Sequence, residues 1–162
     1  MKGMQLTAII AVSVVLSISL PTELIGAKKY SGKGKSLITP HSREEHTLPD
    51  GRILRYARNQ GFTLSDDPDH PQNMASVDCS NILLLEPDGQ KWSGSGTCIS
   101  IDRDGDMSWS WWEGTQEGVK WEYLKGTGKY DGVKGSGTST LDIHNFPNGK
   151  WIEEWESTLE LK

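Results

Sequence analysis

Hydrophobic and polar residues alternate along most of the chain in short runs, and this pattern predicts strands rather than helices. The predicted strands are residues 52–58, 61–65, 76–86, 91–101, 106–113, 119–125, 136–143 and 150–161. Turn-forming sequences such as Pro87-Asp88-Gly89 separate them. Short strands joined by tight turns are typical of an antiparallel sandwich or barrel. An all-β barrel of about eight strands is favoured, because closure leaves no exposed strand edge.

The N-terminal part of the chain does not follow this pattern. Residues 6–20 form an apolar stretch that follows Lys2 and ends at Pro21, and Gly26-Ala27 offers a small-residue cleavage point. This arrangement predicts a signal peptide over residues 1–27 and a secreted or periplasmic protein.

Two further segments are polar and interrupted by prolines. Residues 28–51 are predicted to form an N-terminal arm, and residues 66–75 a loop. The remaining stretch, 52–162, has the length of a single domain and is predicted to be the barrel.

The charge balance limits the possible partners. The chain has 162 residues, a formal charge of −5 and a pI near 5.3. An acidic chain of this kind gives no reason to expect a nucleic-acid partner, or a membrane partner once the signal peptide is removed. A homo-oligomer is compatible with the sequence.

The two cysteines flank the turn at residues 86–90 almost symmetrically. A hairpin folded at this turn places Cys79 and Cys98 opposite each other to within one residue. An even number of cysteines in a secreted chain favours a disulfide, and we expect this bridge to be structural. Two reduced or metal-binding thiols are the alternative.

Three motifs occur in a characteristic order. They are Gly94-Ser95-Gly96-Thr97-Cys98, Asp102-Arg103-Asp104-Gly105-Asp106, and the glycine-rich stretch 126–137. In this combination the chain resembles uncharacterised secreted bacterial proteins of the allene oxide cyclase and dirigent barrel superfamily. The resemblance covers residues 76–140 and implies a calycin-like, eight-stranded antiparallel barrel with a hydrophobic cavity. Superfamily members guide cyclisation or coupling of small apolar molecules, but no catalytic residue of the plant cyclases maps onto this chain.

All seven tryptophans lie at or after position 92, and strand alternation assigns most of them to faces. Trp109 and Trp111 share one face of their strand, with Trp112 on the other. The odd-numbered positions of 150–161 are expected to point inward, because the even ones carry glutamates. The predicted ligand-binding wall consists of Trp109, Trp111, Trp121, Trp151 and Trp155. Core packing of the same indoles is the alternative.

One carboxylate falls on the predicted inner face. Glu153 lies between two indoles, where burial raises the pKa of a carboxyl group and suits it to acid–base chemistry. Tyr123 and Arg55 are the other candidate catalytic residues. The alternatives for Glu153 are a place at the barrel rim or a salt bridge to Arg55. The sequence contains no hydrolase triad and no pattern of metal ligands, so neither a metal nor a cofactor is expected.

Three functions are compatible with these observations. The first is a barrel whose aromatic cavity binds an apolar or aromatic small molecule and templates an isomerisation or cyclisation. The second is a noncatalytic secreted carrier, and the third is a structural or inhibitory barrel with a filled interior. An open interior separates the first two from the third.

Overall fold

The computed structural model describes residues 26–140, 146 and 149–162. The described residues form eight antiparallel strands, each paired with the next, and β8 pairs with β1 to close the barrel. The strands are β1 (Lys28–Thr47), β2 (Ile53–Ser65), β3 (Ala75–Leu85), β4 (Trp92–Ile101), β5 (Met107–Thr115), β6 (Gly118–Gly126), β7 (Lys134–Thr140) and β8 (Trp151–Leu161). The predicted all-β, eight-stranded antiparallel barrel is therefore confirmed.

The predicted polar arm is wrong, because residues 28–47 form β1. At the centre of the inner face of β1, Gly32, Gly34 and Ser36 lie between Tyr30 and Ile38, so this part of the strand lacks the apolar alternation by which strands are recognised. Pro40 lies where the pairing of β1 with β2 shifts register, and a bulge of this kind accommodates a residue without a backbone N–H. The barrel therefore begins at residue 28 rather than at residue 52.

The predicted break at residues 59–60 is also wrong, because β2 runs without interruption from Ile53 to Ser65. Gly61 does not form a turn but allows β1 to approach closely. A Cβ atom at Gly61 would lie 2.5 Å from Ile38 Cδ1 and 2.8 Å from the carbonyl oxygen of Leu37. The predicted number of eight strands was correct only because one strand was divided and another was missed.

The disulfide between Cys79 and Cys98 is formed, as predicted. The two residues are direct register partners on β3 and β4, with their Cα atoms 4.1 Å apart. The bridge therefore fixes the pairing of these two strands.

One end of the barrel is closed by packed side chains. Tyr130, Val133, Leu159 and Leu161 form a buried cluster there. Tyr130 is the last residue of a short 3₁₀ helix (Gly128–Tyr130) between β6 and β7. Its hydroxyl donates to the carbonyl oxygen of Pro71 at 2.8 Å. This bond ties the connection between β2 and β3 to the cluster, so that residues 66–74 contribute to the floor of the barrel.

The predicted signal peptide falls on residues 1–27, of which residues 1–25 lie outside the described part of the chain. No helix among the described residues is long and apolar enough to cross a membrane.

Candidate ligand cavity

The inner faces of the strands enclose a cavity of about 410 Å³. Its wall extends from Gln72 near the packed floor to Gly89 in the turn between β3 and β4 at the other end. Aromatic side chains and small polar side chains share this wall. The aromatic ones are Trp92, Trp112, Trp121, Tyr123, Trp151 and Trp155, and the polar ones include Ser36, Asn59, Thr63, Asn81, Ser100, Ser110, Ser139 and Ser157. The interior is thus open and of mixed character, as is typical of small-molecule sites.

Three of the five predicted wall tryptophans face this cavity. Trp121 lies on β6, and Trp151 and Trp155 lie on β8. Their placement agrees with the faces expected from alternation. Their role in ligand binding stays a prediction.

The predicted face of β5 is wrong. Trp112 lines the cavity, whereas Trp109 and Trp111 lie on the outer face of the strand. The indole N–H of Trp112 donates to Asn81 Oδ1 at 3.1 Å, and this bond holds the ring inside the barrel. Outside, the ammonium group of Lys125 lies 5.2 Å from the ring centre of Trp109. Alternation separates the two faces of a strand, but it does not say which one is inside.

A signal for the correct face was present in the register. The turn at residues 102–106 makes Ser110 the register partner of Cys98. Trp112 follows Ser110 by two positions and therefore lies on the same face of β5. The disulfide lies on the inner face of β3 and β4, so its partner Ser110 and Trp112 face inward as well. Combining the disulfide with the following turn would have identified Trp112.

Glu153 is on the cavity wall between Trp151 and Trp155, as predicted. Burial away from water disfavours its ionised form and raises the pKa of the carboxyl group from 4.5 to about 7. Within the described residues, Glu153 forms no ion pair. At neutral pH this group therefore exchanges readily between its acidic and basic forms.

The possible salt bridge between Glu153 and Arg55 is not formed. Arg55 also lines the cavity, but its Nε donates to Glu45 Oε1 at 2.7 Å. Glu45 is its direct register partner on β1. Arg55 is therefore neutralised by a neighbour on the adjacent strand.

Tyr123 is the third predicted catalytic residue, and it shares the cavity wall with Glu153 and Arg55. Its ring packs edge-on against Trp121, with the ring centres 5.3 Å apart. Burial raises the pKa of its phenol well above the ordinary value of 10. Tyr123 is therefore a neutral hydroxyl group at physiological pH, able to donate a hydrogen bond but not to act as a base.

The inner face of β8 carries three buried polar atoms without a hydrogen-bond partner among the described residues. These are the indole nitrogens of Trp151 and Trp155 and the hydroxyl oxygen of Ser157. All three residues line the cavity. A buried polar group without a partner costs about 1–3 kcal/mol, so these three atoms lower the stability of the barrel unless something supplies the missing bonds. The indole N–H groups can only donate, and they therefore select acceptor atoms.

Comparisons with known proteins support the fold. No family model matches the chain, and no curated protein matches it. Among solved structures, the pterocarpan synthase dirigent protein GePTS1 superposes with a TM-score of 0.54 at 10% identity, covering 83% of this chain and 91% of its own. A second, PsPTS1, superposes with a TM-score of 0.50 at 10% identity, covering 82% and 94%. A protein of unknown function from the DUF3224 family of Shewanella oneidensis MR-1 has 15% identity and a TM-score of 0.49, with 85% and 99% covered.

The two dirigent proteins confirm that the chain has the dirigent-like barrel fold. At 10% identity they concern the fold alone.

Proposed function

We propose that the barrel binds one small, largely apolar or aromatic molecule that carries a hydrogen-bond-accepting oxygen. The observation that supports this most directly is the cavity of about 410 Å³ with unpaired indole N–H groups on its wall. Apolar surface on the ligand would pack against the indoles. Its oxygen would accept from Trp151 or Trp155 once a small rotation of the ring turns the buried N–H group toward the cavity. The open interior favours this function over that of a structural barrel with a filled core.

Two naphthalene derivatives of nearly equal shape test the binding site. 2-Acetonaphthone has a carbonyl acceptor, and 2-isopropylnaphthalene replaces that group with carbon. We expect calorimetry to show one site per chain and about fivefold tighter binding of the ketone, since one hydrogen bond contributes about 1 kcal/mol. The double replacement Trp151→Phe/Trp155→Phe keeps both rings but removes both N–H groups, and it should abolish this preference.

The matched control is Trp109→Phe, which makes the same change on the outer face. It should leave both affinities unchanged within about twofold, or about 0.4 kcal/mol. Failure of both naphthalenes to bind saturably would contradict the proposal. Equal effects of the two Trp→Phe variants would also contradict it.

We further propose that the cavity supports an isomerisation or cyclisation in which Glu153 transfers a proton. A carboxyl group with a pKa near 7 in an apolar site is matched to proton transfer at neutral pH. Tyr123, as a neutral donor, and the indole N–H groups would stabilise negative charge that develops on the ligand oxygen. Noncatalytic transport is the competing function, in which Glu153 contributes only to ligand binding.

A probe reaction distinguishes the two. In the aromatic compound 5-nitrobenzisoxazole, a base removes the proton on C3 and the N–O bond breaks. The ring opens to a single product that carries both a nitrile and a phenolate. If Glu153 is a competent base, the protein should accelerate this reaction above the rate with free acetate. The rate should rise with pH through about 7, and Glu153→Gln should abolish it. No acceleration, or the same rate in Glu153→Gln, would favour the carrier.

We propose that the protein acts in an oxidising compartment, outside the cytosol. The Cys79–Cys98 bridge supports this, because structural disulfides persist in such compartments. The mass of the exported protein should correspond to a chain that begins near Lys28 and lacks two hydrogens relative to the reduced form. Free thiols or an uncleaved N-terminus would argue against export.

A further inference from the structure

A second concave surface lies on the outside of the barrel. It is a groove of about 810 Å³ that crosses the outer faces of β5, β6, β7, β8 and β1. Neighbouring strands are about 4.8 Å apart, so the path of the groove across five strands is roughly 19 Å along the curved outer wall of the barrel. Most of its side chains point away from the barrel interior, and Trp121 and Ser157 are the residues that it shares with the wall of the ligand cavity.

The strand register explains the shape of the groove. One row of register partners across the five strands consists of Trp111, Glu122, Ser136, Thr158 and Ser31. The short hydroxyl side chains lie together on β7, β8 and β1, and the long side chains lie on β5 and β6. The hydroxyl side chains therefore form a low strip with Lys33 and Glu156 beside it, and Trp111 and Glu122 form a wall on β5 and β6.

At the centre of the groove, the backbone of β7 lies directly against the ring of Trp121. Gly137 lies between Ser136 and Thr138, and a Cβ atom there would lie 2.3 Å from the ring of Trp121 inside the barrel. No larger residue fits without moving that indole. The low floor of the groove is therefore coupled to the packing of the interior.

Trp111 presents its indole to this groove. In the described part of the chain, no aromatic or cationic side chain lies over its ring, in contrast to Trp109, which Lys125 covers. An indole at the edge of a polar groove offers a flat apolar plate beside many hydrogen-bonding groups.

The charges of the groove are mixed and nearly balanced. Its charged side chains are Glu113, Glu122, Glu156, Lys33 and Lys120. None of them takes part in an ion pair within the residues that the structure describes. With three acids and two bases, the groove selects neither a polyanion nor a polycation. It does offer strong donors and strong acceptors close together.

We infer that this groove binds a neutral glycan chain. A sugar ring has an apolar face of C–H groups that can stack on Trp111, and hydroxyl groups around its edge that both donate and accept. Those hydroxyls match the carboxylates, ammonium groups and serine and threonine hydroxyls of the floor. The elongated, shallow shape fits several sugar units in a row. This inference is independent of the function proposed for the interior cavity.

The test measures the binding of five neutral hexasaccharides to the disulfide-bonded protein by calorimetry: cellohexaose, xylohexaose, chitohexaose, maltohexaose and laminarihexaose. We expect at least one of them to bind at one site per chain. Trp111→Ala should weaken that binding at least about tenfold. The matched control Trp109→Ala removes an outer indole on the same strand but outside the groove, and it should change the affinity by less than about twofold.

A second variant fills the groove instead of removing a contact. Thr138→Tyr adds a ring to the exposed floor with a residue that suits a strand, so the barrel should fold. It should block the hexasaccharide and leave 2-acetonaphthone binding intact. Failure of all five sugars to bind would overturn the inference. So would equal loss in the two Trp→Ala variants, unimpaired binding by Thr138→Tyr, or competition between the sugar and 2-acetonaphthone.

Discussion

Replacing Glu153 with glutamine removes a charge from the cavity and keeps the size of the side chain. The pKa of this carboxyl group is about 7 in the folded barrel, against an ordinary value of 4.5. One pKa unit corresponds to about 1.4 kcal/mol, so ionising Glu153 in the folded protein costs up to about 3 kcal/mol. This is an upper limit, because Glu153 is only half-buried and solvent reduces the cost of ionising a partly exposed carboxyl group.

The sign of the pH dependence follows from this comparison. Between pH 4.5 and 7 the unfolded chain releases the proton of Glu153 while the folded protein retains it. The contribution of this group to stability is therefore complete below pH 4.5, falls as the pH rises, and is fully lost above pH 7. Glu153→Gln removes this loss. The variant should match the wild type at pH 4.5 and be more stable at pH 8 by up to about 3 kcal/mol.

Urea unfolding followed by tryptophan fluorescence at several pH values measures this difference. The control is Glu156→Gln, which makes the same chemical change on the outer face of β8, at an exposed position. Its difference from the wild type should not vary in this way. If Glu153→Gln parallels the wild type from pH 4.5 to pH 8, the carboxyl group is well solvated. Such a result would refute a raised pKa for Glu153 in the folded barrel.

Three other changes test the frame of the barrel. Replacing Cys79 and Cys98 by serine should lower the free energy of unfolding by about 2–4 kcal/mol without abolishing 2-acetonaphthone binding. A stability within about 0.5 kcal/mol of the wild type, which is the error of a urea titration, would contradict a structural bridge. Gly61→Ala places a Cβ atom 2.5 Å from a β1 side chain and should cost about 1–3 kcal/mol, whereas Ser93→Ala, at an exposed position of β4, should change the stability by less than about 0.5 kcal/mol. Burial lowers the pKa of His70, so stability should fall as the pH drops through 6.5, and His70→Gln should reduce this dependence in urea titrations.

The sequence predicted the strands with strict alternation and missed the one without it. In β8, glutamates occupy the outer positions 154, 156 and 160, and indoles and leucines occupy inner ones, so both the strand and its orientation were evident. In β1 the inner positions 32, 34 and 36 are glycine or serine. They are small because neighbouring side chains cross the interior at that level, as the 2.7 Å between a Cβ atom at Gly34 and the ring of Trp155 shows. This requirement is tertiary and leaves no periodic signal.

The candidate site was predicted in part for a related reason. Glu153 was identified because a charge interrupts a row of apolar residues, and that contrast is visible in the sequence. The pairing of Arg55 with Glu45 was not predicted. It depends on β1 lying beside β2, and residues 28–51 had been interpreted as an arm. The inner face of β5 was predicted wrongly, because the face with two indoles, Trp109 and Trp111, was assigned to the cavity wall instead of the face with Trp112.

Arg55 pairs with Glu45, so Glu153 lies in the barrel without a cationic partner among the described residues. An arginine already on the cavity wall would reduce the cost of ionising Glu153 if it faced that carboxylate, but it is bound to a glutamate on the neighbouring strand. The same inner face of β8 carries three further unpaired polar atoms. Each of these features lowers stability on its own, and departures from optimal stability concentrate where a protein binds or reacts. Because they lie on one strand and face one cavity, a bound molecule would compensate them together, so under the proposed function we expect β8 to be the part of the wall that selects the ligand.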